Sequence, residues 1–112
     1  MITDESIREL LAMYAKHGWL IRRVLLSKDA ADRLSGKLED LFGSTPVNTS
    51  SIDAIWFSRP YKSDGMPWEI RHLGGLPYAL VEHLDEDAAG FEDDLHGVEE
   101  RLRAAISSRT TA

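Results

Sequence analysis

The chain has 112 residues, 43% apolar and 29% charged, with a formal net charge of −6 and no cysteine. That length suits one domain with one core and shallow clefts rather than a deep enclosed site. The lack of cysteine excludes a disulfide scaffold, a thiolate metal centre and a cysteine nucleophile, and fits a cytoplasmic location, while the acidic balance disfavours broad nucleic-acid binding because phosphate would be repelled.

Residues 3–17 predict a helix. Thr3 can cap it, Asp4 and Glu5 sit in the first turn where the helix dipole favours anions, and Ile7, Leu10, Leu11 and Tyr14 form one apolar stripe. Gly18 supplies the stop. The start of the chain is acidic and has no apolar run, so neither a secretory leader nor a membrane span is expected. Residues 19–26, Trp-Leu-Ile-Arg-Arg-Val-Leu-Leu, predict a strand that alternates poorly and is covered on much of both faces. A second helix is expected over 28–42, capped by Ser27 or Asp29, striped by Leu34, Leu38, Leu41 and Phe42, and ended by Gly43. Gly36 inside it costs about 1 kcal/mol relative to alanine. Residues 44–51 are polar and turn-rich and predict a connection.

Three strands follow, at 52–59, 67–73 and 77–84, separated by Asp64-Gly65 and Gly74-Gly75 turns, which together predict an antiparallel meander. A first hairpin symmetric about residue 63 pairs Trp56 with Ile70, Phe57 with Glu69 and Ile55 with Arg71. Residues 87–106 predict a last helix, with Phe91, Leu95, Val98, Leu102 and Ile106 at spacings of 4, 3, 4 and 4. Residues 107–112 are expected to be a frayed tail. The elements therefore describe an α+β fold: a two-layer single domain over 1–106, ordered α-β-α-β-β-β-α, with a mixed sheet of about four strands and its helices on one face. Such a sheet leaves edges and an open face, which a homodimer could cover.

The candidate working surface is the 55–71 hairpin, where Trp56, Arg59, Tyr61, Trp68, Glu69 and Arg71 concentrate aromatic area and directed polar groups. Aromatic and arginine side chains dominate binding hot spots, so the expectation is a non-enzymatic binding or regulatory module with a protein or small-ligand partner and no cofactor. The competing reading makes Trp56 and Trp68 core residues and the charges surface ion pairs. Two other functional readings stand beside it. From Glu82 to Glu100 there are nine acids and no lysine or arginine, which would suit an inhibitor or immunity-type protein docking a basic partner. Asp53 followed by Glu69-Ile70-Arg71 resembles the D…(D/E)-x-K pattern of restriction-endonuclease-like enzymes, whose carboxylates hold a divalent metal. Arg71 stands where that pattern has lysine, and arginine cannot act as a base at neutral pH. The four histidines show no pair at metal-ligand spacing. Ser58 lacks the context of a hydrolase nucleophile, and no glycine-rich loop is followed by Lys-Ser/Thr.

Overall fold

The computed structural model describes residues 2–60, 66–74 and 78–110. Its elements are α1 (Asp4–Lys16), β1 (Leu20–Leu26), α2 (Lys28–Arg33), α3 (Leu38–Phe42), β2 (Val47–Thr49), β3 (Ala54–Ser58), β4 (Met66–His72), β5 (Ala79–Leu84) and α4 (Phe91–Thr110). The five strands form one mixed sheet in the order β2-β1-β3-β4-β5. The expected Asp64-Gly65 turn, Gly75 of the second turn and Pro77 at the start of the expected last strand lie outside the described residues. No described helix is long and apolar enough to cross a membrane.

α1 begins as its sequence dictates. Ser6 N donates to Thr3 Oγ1 at 3.0 Å and Thr3 N donates to Ser6 Oγ at 3.1 Å, a reciprocal capping box. It ends where Gly18 adopts φ +86°, a left-handed conformation that suits glycine, and Trp19 N returns to Tyr14 O at 3.0 Å. The second expected helix is two short ones. α2 starts on Ser27, whose Oγ accepts from Ala30 N, and stops after Arg33; Gly36 then takes φ +84° and the chain re-enters as α3. The apolar stripe still serves, because Leu34, Leu41 and Phe42 are all buried in one cluster. A left-handed glycine breaks the helical path without disturbing which side chains face inward.

The connection expected at 44–51 contains the fifth strand. β2 lies parallel to β1, with Val24 opposite Val47 and Leu26 opposite Thr49. Its three side chains are exposed, so it carries no apolar signal; it forms through backbone bonds, and flanking ones run from Val24 N to Pro46 O and from Ser50 N to Leu26 O, both at 2.9 Å. The β3–β4 register is the one the symmetric hairpin requires: Trp56 opposite Ile70, Phe57 opposite Glu69, Ile55 opposite Arg71.

β1 pairs antiparallel with β3 through a register shift between Ile21 and Arg23. This bulge accounts for the poor alternation of the sequence there, since an extra residue resets which face the following side chains take. Ile21 packs with the α1 side, whereas both arginines reach the α4 side. Arg22 lies 4.6 Å over the Trp68 ring and donates to Ser58 Oγ at 3.0 Å, and Arg23 grips Glu92 through two bonds of 2.8 and 2.7 Å. Arg23 pulls the Glu92 carboxyl below its ordinary pKa.

The helices do not share one face. Ala54 and Trp56 of β3 pack with Trp68, Ile70 and the α4 residues Phe91, Leu95, Val98 and Leu102. Ile55 and Phe57 pack with Ile7, Tyr14, Ala30, Leu34, Leu41 and Phe42 of α1–α3. The sheet is thus sandwiched at its centre, in three layers rather than two, and the reason is that β3 is apolar on both faces. α4 presents the expected Phe91-to-Leu102 stripe but begins at Phe91 rather than residue 87 and continues to Thr110, past the expected end at 106.

Trp56 and Trp68 are both buried, at 0% and 1% exposure, but their indole nitrogens differ. Trp56 Nε1 donates to Glu99 Oε2 at 2.7 Å, and Glu99 also meets His96 Nδ1 at 3.2 Å; Trp68 Nε1 has no hydrogen-bond partner among the described residues. A bond to a buried charged group contributes about 1.5–3 kcal/mol, and removing it strands the acceptor. Trp56→Phe should therefore lower the unfolding free energy by about 1–2 kcal/mol more than Trp68→Phe, as urea denaturation at neutral pH would read. Equal losses would show that the Trp56–Glu99 bond contributes nothing.

Candidate functional site

Coverage of the sheet is uneven. On the α1 side, α1–α3 pack on β1 and β3, but no described helix covers β5 there: Val81 is 50% exposed, and Ala79 and His83 are exposed beside it. Where coverage stops, the C-terminal half of α1 stands beside the strands and leaves a cleft of about 350 Å³ lined by Met13, Tyr14, His17, Trp19, Arg59 and Glu69. Helical spacing places Met13, Tyr14 and His17 around one end of α1, and the left-handed Gly18 turns the chain so that Trp19 closes that end. Arg59 follows the last residue of β3, and its guanidinium nitrogen lies close enough to Gly18 that a β-carbon there would sit 3.7 Å away.

Tyr14 is the floor. Its ring stacks on Phe57 with centroids 4.0 Å apart and planes at 18°, and meets the edge of Trp19 at 6.1 Å. The β3–β4 register sets Glu69 beside Phe57, and the Tyr14 hydroxyl donates to Glu69 Oε2. Burial, then that bond and the negative charge it faces, push the phenol well above its usual pKa; Arg71 acts more weakly the other way. Tyr14 therefore stays protonated at neutral pH and serves as a donor, holding the Glu69 carboxylate in place.

The sequence-derived site residues divide between the two faces. Arg59 and Glu69 meet in the cleft. Arg71, two residues along β4 on the same face, lines a smaller neighbouring hollow with Ser6, Ile7 and Leu10. Trp56 and Trp68 lie on the opposite face under α4, where they are core side chains. Tyr61 lies outside the described residues. Nothing in the sequence marks Met13, Tyr14, His17 and Trp19 as site residues. Tyr14 was legible only as one position of a core stripe, and periodicity does not reveal that a phenol at the margin of a core reaches a carboxylate.

Asp53 and Glu69 do not converge. Glu69 pairs with Phe57, four residues along β3 from Asp53, a separation of about 13 Å. The Asp53 carboxylate instead accepts from Ser27 N at 2.7 Å and Ser27 Oγ at 3.3 Å, securing the start of α2. Ser58 is buried and accepts from Arg22. The acidic stretch is substantially engaged as well: Glu82 holds Arg101, Glu86 Arg22, Glu92 Arg23 and Glu100 Arg103, while Glu99 accepts from Trp56.

The raised Tyr14 pKa has a sign that can be tested. Above about pH 10 an unfolded chain ionises its tyrosines while folded Tyr14 keeps its proton. Its stabilising contribution is whole below that pH and declines as pH rises towards the higher folded-state value. Phenolate absorbance on alkaline titration should show one tyrosine ionising last, with its onset coupled to unfolding, and Tyr14→Phe should remove that late step and cost about 1–2 kcal/mol at pH 7. A late step that survives Tyr14→Phe would assign it to another tyrosine. No family model, no curated protein and no solved structure matches this chain, so the meaning of the cleft rests on its own geometry.

Proposed function

We propose that this protein is a small non-enzymatic binding module and that the cleft between α1 and the β3–β4 strands is its working surface. The observation that carries the reading is the company Arg59 keeps. Among the described residues its guanidinium makes no ion pair, whereas Arg22, Arg23, Arg33, Arg101 and Arg103 each hold a carboxylate. Arg59 stands beside Met13, which is 46% exposed, and the half-buried Trp19. An available cation next to apolar and aromatic walls fits a ligand or partner group that is flat or aliphatic at one end and anionic at the other. Glu69, tied to Tyr14, orients hydrogen-bond donors of such a group and rejects a second anion.

The geometry favours binding over catalysis. The phenol is held protonated, Glu69 is committed to it, and Asp53, the second carboxylate that a metal-dependent nuclease would use, instead accepts from Ser27, the cap of α2. The reading as an acidic inhibitor is less supported, because five of the acids it would present already have partners in the fold.

A panel of aromatic carboxylates such as 1-naphthoate, followed by backbone amide NMR, tests the proposal. Binding should perturb amides around residues 13–19, 59 and 69, and Arg59→Ala and Trp19→Ala should each weaken it about tenfold, equivalent to about 1.4 kcal/mol, with the fold intact by circular dichroism. Perturbations elsewhere, or affinity indifferent to Arg59→Ala, would overturn it.

A further inference from the structure

The sheet has two edges, and they differ. β2 has only three residues, too short to template much pairing. β5 has six, Ala79–Leu84, and pairs with β4 in unbroken register from Met66–Leu84 to Arg71–Ala79, with no bulge. It contains no proline and no lysine, and its single acid, Glu82, is paired with Arg101 of α4. Proline, lysine and a bulge, three devices that ordinarily blunt an edge, are thus absent from the described residues of β5.

Its backbone groups point predictably. His72 N donates to Tyr78 O at 2.8 Å, and antiparallel alternation then commits even-numbered residues of β5 to β4. Ala79, Val81 and His83 turn their N–H and C=O groups to the open edge. The same three residues have exposed side chains, and Val81 at 50% is one of the exposed large apolar residues of the chain.

The geometry points to a second copy of this chain as the occupant: two β5 strands pair antiparallel about a two-fold axis at Val81, making one continuous ten-stranded sheet. Only this centre uses all three outward residues of both strands. Val81 exchanges both bonds with its mate, and Ala79 exchanges both with His83 of the partner subunit. Centring on Ala79 or His83 leaves part of the edge unpaired. The side chains agree with the register. Val81 meets the partner's Val81, Leu80 lies opposite the partner's Glu82, and Tyr78 lies opposite the partner's Leu84, so no like charges face each other directly. On the α4 side, Glu82 of each copy keeps its own Arg101 partner, in a hollow that Asp93 and Asp94 also line, so the acid nearest the axis is already paired within its own chain. A partner with an unrelated edge strand would meet the backbone groups but not this self-complementary arrangement. The inference is independent of what the α1 cleft binds.

The chain has no cysteine, so Val81→Cys introduces a single reporter. A hydrogen-bonded antiparallel pair sets its Cα atoms about 5.5 Å apart, within disulfide reach. Sedimentation of the wild-type chain at up to about 100 µM should show twice the 12.6 kDa chain mass, and mild oxidation should cross-link Val81→Cys but not Asn48→Cys on the β2 edge. Val81→Lys, which places like charges on the axis at an exposed position, should give a monomer with unchanged circular dichroism. A wild-type monomer throughout that range, including one that captures extended peptides instead, would overturn the proposal. So would a dimer that survives Val81→Lys, or one that cross-links equally well through Asn48→Cys.

Discussion

Everything in this molecule is arranged around a strand that has no outside. All five residues of β3 are buried, with Ala54, Ile55 and Trp56 at 0% exposure. An apolar strand of that kind must be covered twice, and burying each large side chain contributes about 1.5–3 kcal/mol. The double burial divides the core into two clusters on opposite faces of the sheet, one under α4 and one under α1–α3. Strand order follows from the same constraint, because the doubly buried strand takes the centre and the strands with exposed side chains, β2 and β5, take the edges.

The α4 layer is fastened by polar contacts as well as by its stripe. The β1 bulge sends two consecutive arginines to that side, where Arg22 covers Trp68 and bonds Ser58, and Arg23 takes Glu92 in a fork. Bidentate arginine–carboxylate pairs add geometric specificity that a single contact lacks. Inside the layer, Glu99 is a nearly buried carboxylate made tolerable by the Trp56 indole and His96. These contacts fasten α4 to the sheet, and they engage Glu92 and Glu99, two of the acids that made its sequence look like a docking face.

The two features on which the proposed binding and pairing rest come from what the layers leave uncovered. α1–α3 bury one face of β3 but stop before β5, and the step at their margin is the cleft lined by Tyr14, Glu69 and Arg59. Beyond the step, β5 keeps an exposed side-chain row and, among the described residues, an edge that pairs with no further strand. Val81 is cross-strand from Glu69, so the cleft floor and the open edge are neighbouring parts of one half-covered surface. A partner at either place would complete burial that the single chain leaves unfinished.

Much of this was legible in the residues. Capping by Thr3, the stops at Gly18 and Gly43, the β3–β4 register and the α4 stripe are local, set by backbone sterics and side-chain periodicity acting over a few residues. Gly36 carried the signal for breaking the second helix, but glycine inside a stripe is compatible with either outcome until packing decides. β2 left no trace because its bonds are to backbone and its side chains face solvent. The sequence by itself determined the kinds of element, their order and the apolar rows. Only the tertiary structure decided which rows met: Trp56 and Trp68 inward under α4, Tyr14 across to Glu69, Asp53 to Ser27. The physical reason is that alternation assigns side chains to opposite faces without saying which helix will cover each, and that choice is made by long-range packing.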